Sequence, residues 1–179
     1  MSILSVFHPD SPALPNKVLT HHDDIAATLA EHGVRFAHAE HGLRVRPGTA
    51  QDEVLGACRV YLDQLMTGHG SKAFVLLNRD GEDPVQVDVR DEHVHDADEV
   101  FAVVGGRAQV GLRLGGWVYS VLCEKGDQLL VPAGTRHDIR NTGDRRLRLV
   151  TIYAPPHHAP GTVHRTREDA LRAEAAAHA

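Results

Sequence analysis

The spacing of hydrophobic residues predicts helices in the first part of the chain. Apolar positions recur at helical spacing over residues 22–32, with acidic residues in the first turn. A second apolar stripe covers residues 54–65; it follows a segment at 49–52 that resembles a capping box and ends before Gly68. We therefore expect residues 1–71 to form a mostly helical N-terminal portion.

From residue 72 the pattern changes to an alternation of apolar and polar positions with many β-branched side chains. Glycine and aspartate separate nearly all of these segments, as at residues 105–106, 115–116 and 126–127. Many short strands without intervening helices predict a mainly β fold, a sandwich or barrel, rather than a parallel α/β sheet. The expected strands cover residues 73–78, 85–90, 99–104, 108–114, 117–123, 128–131, 137–141 and 146–153.

We expect a single domain over residues 1–179 with a barrel core at 72–154, because a chain of this length can bury a sizeable core. The segment at 155–160, rich in proline and histidine, indicates an irregular exit from the barrel. Within the tail 155–179, the Ala- and Glu-rich end at 165–179 predicts a short C-terminal helix.

Composition and charge exclude several classes of protein. No segment offers roughly 18 uncharged apolar residues, and the N-terminus has no basic stretch followed by an apolar one, so we expect a cytoplasmic protein without a membrane span. With 24 acidic residues against 19 lysines and arginines, a nucleic-acid partner is not expected. Cys58 and Cys123 belong to no CxxC pair, so both are expected to be small buried apolar residues.

Histidine is the residue type in excess, with 14 copies among 179 residues. His93 and His95 form an H-x-H pair, but at this histidine content roughly one such pair is expected by chance. Residues 93, 95 and 99 differ by even numbers, so with Glu99 the pair can face one side of a strand or its extension. A polar surface strand would show the same spacing, and this segment alone leaves both interpretations open.

A second segment, residues 126–137, contains a further candidate ligand, His137. Gly126 precedes a buried strand, residues 132–134 form a Pro-x-Gly turn, and His137 starts the next strand, with Asn141 four residues later. Turns at both ends of one short strand place His137 near the rim of the barrel, where its side chain can point inward. The other eleven histidines have no partners at matched spacing, and we interpret them as composition.

Together these segments resemble the two motifs of the cupin superfamily. The second motif, G-x5-P-x-G-x2-H-x3-N, is matched from Gly126 to Asn141. The first, G-x5-H-x-H-x3,4-E-x6-G, is matched except that Val87 replaces its leading glycine. The resemblance implies a double-stranded β-helix (jelly-roll) barrel with N-terminal helices and a short C-terminal helix. It also implies a metal site with the ligands His93, His95, Glu99 and His137.

The chemistry of these side chains favours a catalytic metal over a purely structural one. Three imidazoles and one carboxylate suit iron, manganese, nickel, cobalt or zinc, with no thiolate to favour copper(I) or a closed structural zinc. An octahedral metal with four protein ligands keeps two positions for a bidentate substrate, or for a substrate and dioxygen. It would act as Lewis acid and template. A metal that serves stability alone is the alternative.

Within the cupins, the chain most resembles the acireductone dioxygenase family of methionine salvage. Residues 93–100 resemble the family's H-x-H-x-x-D-E-V, residues 121–135 its V-L-C-E-K-x-D…V-P-A-G-T, and residues 33–36 its Gly-Val-Arg-Phe segment. The resemblance implies a dioxygenase that cleaves an acireductone, a 1,2-dihydroxy-3-keto compound, with O2. The implied cofactor is Fe(II), with formate and a 2-keto acid as products, or Ni(II), with carbon monoxide, formate and a shortened carboxylate.

Departures from the family pattern fall where the substrate is handled. Residues 101–103 are Phe-Ala-Val in place of Arg-Phe-Phe, and residues 138–140 are Asp-Ile-Arg in place of Trp-Phe-Asp. An arginine from another position, Arg90, Arg113 or Arg136, could then reach the pocket. The pocket residues we single out are Phe101, Arg90, Arg113 and Ile139.

Three functions stay open at this point. The first is an acireductone-type dioxygenase. The second is another metal-dependent cupin enzyme, either a dioxygenase of a different substrate or an isomerase or lyase. The third is a cupin that binds a small molecule or a metal without catalysis, although no helix-turn-helix pattern indicates a transcription regulator. The oligomeric state cannot be derived from these patterns.

Overall fold

The computed structural model describes residues 1–46, 48–71, 73–80, 88–140, 146–153 and 165–166. Two helices and eleven strands occupy these ranges. In chain order the elements are β1 (Ile3–Phe7), β2 (Lys17–Leu19), α1 (His22–Ala30), β3 (Arg35–His38), α2 (Gln51–Gly68), β4 (Phe74–Asp80), β5 (Asp88–Val94), β6 (Glu99–Leu114), β7 (Trp117–Glu124), β8 (Asp127–Val131), β9 (His137–Arg140), β10 (Arg146–Tyr153) and β11 (Arg165–Thr166).

The long strand β6 is the centre of a curled antiparallel sheet and belongs to both of its faces. Its first half pairs with β8 and β10, whereas its second half, after Gly106, pairs with β7 and β9. Gly106 has a φ of 70°, a conformation open to glycine, so the strand can bend where its partners change. The two strands expected at 99–104 and 108–114 are therefore one bent strand of 16 residues.

Apolar side chains on the inner face of the sheet form the main core. Phe101 of β6 is buried there, and Ile25 and Leu29 of α1 close the core on one side. Neighbouring residues of β6 point the other way, because side chains alternate along a strand. On that outer face α2 forms a second apolar cluster, in which Cys58 packs with Val100 and its neighbours.

Both cysteines are buried, one in each cluster. Burial raises the pKa of the Cys123 thiol, and the nearby Asp127 carboxylate adds to the shift. Such a thiol stays protonated and unreactive in the folded protein. The expectation that Cys58 and Cys123 are small buried apolar residues is confirmed.

The N-terminal portion contains the two predicted helices, but also three strands that the helical pattern did not predict. β1 pairs with β7, β2 pairs with β1, and β3 pairs with β8, so this portion extends the sheet. Strands of three to five residues carry too few alternating positions to be recognised in a sequence. They form here because the edges of longer strands offer them hydrogen-bond partners.

The end of the chain is described only in part. Arg165 and Thr166 form β11, which pairs with β5, where the sequence predicted the start of a helix. The remainder of that predicted helix, the exit segment at 155–160, Val87 and Asn141 lie outside the described residues. No helix in the described ranges is long and apolar enough to cross a membrane.

Candidate metal centre

Four polar side chains lie buried together at one end of the barrel. His93 is 7% exposed, His95 and His137 are 1% exposed, and Glu99 is fully buried. One nitrogen of each imidazole and one carboxylate oxygen all lie within 4.8 Å of one another. These are the four residues that the cupin motifs indicate as ligands.

Strand register explains why residues distant in sequence meet here. His93 near the end of β5 is paired with His137 at the start of β9, and His95 follows one residue beyond β5. Glu99 opens β6 and pairs with Val131, the last residue of β8. The ends of three antiparallel strands thus place one imidazole or carboxylate each at the same rim, and the residue after β5 supplies the fourth group.

Glu99 is the centre of the cluster. Its Oε2 atom lies 2.8 Å from Nε2 of His137 and 3.2 Å from Nε2 of His95. The ring of His93 lies 4.3 Å from that of His137 and 4.7 Å from that of His95, measured between centroids. Three imidazoles and one carboxylate therefore surround a space of the size that a single ion needs.

Nδ1 of His137 faces away from the cluster, and its hydrogen bond determines whether Nε2, which faces the cluster, carries a lone pair. Nδ1 of His137 donates to the carbonyl oxygen of Thr135 at 2.8 Å, because a carbonyl can only accept. In a neutral imidazole the lone pair then lies on Nε2, which faces a carboxylate oxygen of Glu99. Two lone pairs at this separation repel unless a cation lies between them, and the residues therefore fit a divalent metal.

Two hydrogen bonds join the loops that carry the ligands. The amide of Gly134 donates to the carbonyl of His95 at 2.8 Å, and the amide of Ala133 donates to Oδ1 of Asp98 at 2.9 Å. Asp98 thus anchors the turn that precedes His137. The positions of His95 and His137 are coupled through backbone contacts rather than through the imidazoles alone.

The singled-out pocket residues fall on different faces of the sheet. Phe101 is 1% exposed, with its ring centroid 5.6 Å from that of His137, and Ile139 is fully buried on the same strand face as His137. Leu112 pairs with His137 in the register and points inward, so the next residue, Arg113, points outward. The backbone of Arg90 pairs with Ile139, and its side chain lies outside the described part of the chain.

Arg113 and Arg136 bind the carboxylate of Glu92 on the outer surface instead of lining the pocket. Nε of Arg113 donates to Glu92 at 2.8 Å, and Nη1 of Arg136 donates to the other oxygen of that carboxylate at 3.4 Å. Burial would raise the pKa of Glu92, but the hydrogen bond and charge of Arg113, together with Arg136, outweigh it and hold this pKa below its ordinary value. The group ties β5, β6 and the turn before β9 together on the outer surface.

A second group of ligating side chains was missed at the level of sequence. His22 and His38, interpreted as composition, both lie against Asp127 with their ligating atoms within 4.8 Å of one another. That interpretation is wrong for these two residues. No spacing could have indicated it, because the three residues belong to three separate elements that only the folded chain brings together.

Comparisons with known proteins agree with the geometry. A family described as the cupin domain matches residues 83–153. The acireductone dioxygenase of Pseudomonas syringae pv. tomato is 48% identical over 141 residues, which cover 76% of this chain and 78% of that protein. The acireductone dioxygenase of Pseudomonas aeruginosa is 41% identical over the same shares of the two chains.

Among solved structures, an acireductone dioxygenase from Bacillus anthracis with a cadmium ion in its active centre superimposes with a TM-score of 0.67. The alignment covers 87% of this chain and 94% of that chain, at 19% sequence identity. At this identity the likeness shows the fold. The predicted mainly β, cupin-type barrel with N-terminal helices is confirmed.

Proposed function

The chain belongs to the acireductone dioxygenase family of metal-dependent enzymes, and on this premise we propose that it cleaves an acireductone with O2 at Fe(II) or Ni(II) held by His93, His95, Glu99 and His137. The observation that carries the proposal is the buried cluster itself, in which ligating atoms from all four residues lie within 4.8 Å of one another. The membership rests on relatives such as that of Pseudomonas syringae pv. tomato, which is 48% identical over 76% of the chain.

Burial and charge support these four residues as the ligands. A desolvated carboxylate is costly unless a cation or several hydrogen bonds compensate it. Glu99 is fully buried and has imidazoles as its closest described partners, so a dication bound by the cluster would keep a net charge of about +1. That remaining charge attracts an anionic chelator.

The protein residues would orient the ligands and keep the site dry. A bound Fe(II) or Ni(II) supplies Lewis acidity and a template on which an enediol can chelate as an anion. The Thr135 carbonyl keeps Nε2 of His137 directed inward, and the Asp98 contact holds the turn that carries both. Phe101 and Ile139 form an apolar wall that excludes water beside His137.

Phe101 also favours a second candidate, a dioxygenase of a different chelating enediol. The family pattern has arginine at this position, where a cation can bind an anionic substrate. Here a phenyl ring lies 5.6 Å from the ring of His137, measured between centroids. An apolar wall accommodates an apolar substituent better than an additional negative charge.

Reconstitution with single metals tests the proposed function. We expect the apoprotein loaded with Fe(II) to consume an acireductone in air and form formate and a 2-keto acid. The Ni(II)-loaded protein is expected to form carbon monoxide, formate and a shortened carboxylate instead of the 2-keto acid. Loss of the substrate's ultraviolet absorbance, with product analysis, gives the readout, and zinc-loaded protein is the control for uncatalysed oxidation.

Stoichiometric iron and nickel binding without turnover of the acireductone would contradict the proposal. If the same iron-loaded protein then took up oxygen with another enediol, the second candidate would replace the first. The predictions of a cytoplasmic location and of no nucleic-acid partner accompany this proposal on the basis of composition alone.

A further inference from the structure

A second set of ligating side chains lies at the other end of β8. His22 is the first residue of α1, His38 is the last residue of β3, and Asp127 is the first residue of β8. Nε2 of His22 lies 3.1 Å, and Nδ1 of His38 lies 2.9 Å, from the same oxygen, Oδ1 of Asp127. Two imidazoles thus converge on one carboxylate oxygen.

The other carboxylate oxygen of Asp127 is already occupied. Oδ2 accepts hydrogen bonds from the hydroxyl of Ser2 and, at 2.9 Å, from the amide of Glu124. Such contacts fix the orientation of a carboxylate in the way that supporting hydrogen bonds fix metal ligands. They leave Oδ1 directed at His22 and His38.

A cation would compensate the buried charge of Asp127. The residue is 1% exposed, and a buried carboxylate is costly unless hydrogen bonds or a cation compensate it. Its hydrogen-bond partners in the described part of the chain are a hydroxyl, a backbone amide and two imidazoles, with no lysine or arginine among them. None of these partners carries a permanent positive charge, and a metal ion bound at Oδ1 would supply one.

The distances suit a tetrahedral metal. With metal–ligand bonds of about 2.0–2.2 Å, the ligand atoms of a tetrahedral site lie roughly 3.4 Å apart. Here the imidazole nitrogens lie 3.1 and 2.9 Å from Oδ1, which is hydrogen-bond distance, and all three atoms lie within 4.8 Å of one another, so small shifts would admit an ion. The side chains of His22 and His38 are 38% and 40% exposed, so the fourth position opens to solvent. Two imidazoles and one carboxylate form a ligand set that suits zinc.

The surroundings hold both imidazoles in place. The ring of His22 stacks on that of Phe36, with centroids 4.4 Å apart. A Cβ atom at position 126 would lie 2.5 Å from Cε1 of His38, so the ring of His38 occupies space that only a glycine leaves. Gly126 also has a φ of 95°, which a side chain would disfavour.

We propose that His22, His38 and Asp127 form a second divalent metal site of zinc type, separate from the barrel cluster. Asp127 lies four residues from Val131, the partner of Glu99 in the register, which is about 13 Å along a strand. The site joins α1 and β3 to the barrel strand β8. A metal that binds only the folded arrangement would stabilise this N-terminal portion on the barrel.

Zinc titration of the full-length apoprotein against a chromophoric chelator tests this proposal. We expect two equivalents to bind to the unchanged protein and one to the H22Q/H38Q variant, with the remaining equivalent at the barrel cluster. The matched control is H21Q, because His21 is the exposed neighbour of His22 with no capping hydrogen bond, and it should retain two. Two equivalents in H22Q/H38Q, or one in the unchanged protein, would overturn the proposal.

Anomalous diffraction at the zinc edge gives an answer that does not depend on a variant's folding. Crystals of the unchanged protein grown with zinc should show one peak among His22, His38 and Asp127, besides the peak at the barrel cluster. A peak at the barrel cluster alone would overturn the proposal and leave Asp127 compensated by its hydrogen bonds. Because the two peaks are separate, the result does not depend on the function proposed for the barrel.

Discussion

At the scale of single residues, His137 links the metal cluster to the backbone. Its outer nitrogen is bound by the Thr135 carbonyl, and its inner nitrogen lies 2.8 Å from Glu99. Both contacts constrain one imidazole, so the side chain enters the site with its orientation already determined. Such preorganisation lowers the entropic cost of binding a metal.

Replacing His137 with alanine tests this role. We expect H137A to lose at least about tenfold in affinity for Fe(II) at the barrel cluster, since an inner ligand and its fixed orientation are removed together. The measurement is iron competition against a chelator, with H21A as the control on an exposed imidazole. Unchanged iron affinity in a folded H137A protein would show that the cluster is not the iron site.

Gly111 shows how a single missing side chain leaves room for another. A Cβ atom at this position would lie 2.5 Å from Oδ1 of Asp138, which β9 places directly opposite. We expect G111A to lower the free energy of unfolding by about 1–3 kcal/mol through overpacking, and G111A/D138S to recover most of the loss. Denaturant unfolding gives the measurement.

A glycine elsewhere in the same chain provides the control. Nothing lies within 4 Å of a Cβ atom built on Gly56 in α2, so G56A should be neutral or slightly stabilising. If G111A unfolds at the same denaturant concentration as the unchanged protein, the contact with Asp138 does not limit that position.

At the scale of elements, the helices were easier to predict than their ends. α2 was expected after a capping box at 49–52, yet Ala50 occupies the N-cap and makes no side-chain capping bond. The Thr49 hydroxyl donates instead to the carbonyl of Arg46 at 2.7 Å. The apolar stripe that packs on β6, rather than the cap, fixes this helix in the fold.

Strands were predicted where apolar and polar residues alternate over many positions. They were missed where a short segment becomes a strand only by hydrogen bonding to a distant neighbour. β7 and β10 carry eight residues each, enough for a visible period of two. β1 and β3, by contrast, pair with strands whose residues lie 89 or more positions away in sequence. Local pattern contains no information about such partners.

The Glu92 group joins three elements, and its contribution should depend on pH. The lowered pKa means that the folded state favours the ionised carboxylate, so the stabilisation is present at neutral pH and is lost as the pH falls through this lowered pKa. We expect E92Q to melt below the unchanged protein at pH 7 and the difference to vanish in acid. Thermal unfolding from pH 3 to 7 measures it.

Salt and a second glutamate make this test specific. Because Arg113 is 45% exposed and Arg136 50% exposed, the difference should be modest and should shrink in about 1 M salt. E31Q is the control, since Glu31 is exposed and forms no salt bridge among the described residues. A difference between E92Q and the unchanged protein that does not shrink as the pH is lowered would contradict the ion-pair explanation.

At the scale of the whole molecule, the barrel cluster could be predicted because its information is local. The spacing of His93, His95 and Glu99 within one segment, and of the turn before His137 in another, already indicates which side chains meet. The second cluster could not be predicted, since His22, His38 and Asp127 belong to segments that carry no common motif. The outward direction of Arg113 likewise follows from strand register, which the sequence does not contain.

We propose that the barrel cluster binds a metal with which the chain uses O2 to cleave an acireductone. In the iron reaction the C1–C2 bond breaks and each of the two carbons gains one oxygen atom. The most direct measurement is oxygen uptake by the iron-loaded protein as a known amount of acireductone is consumed. We predict one O2 taken up per acireductone, with one formate released; protein that holds iron at the cluster and takes up no oxygen would contradict the account.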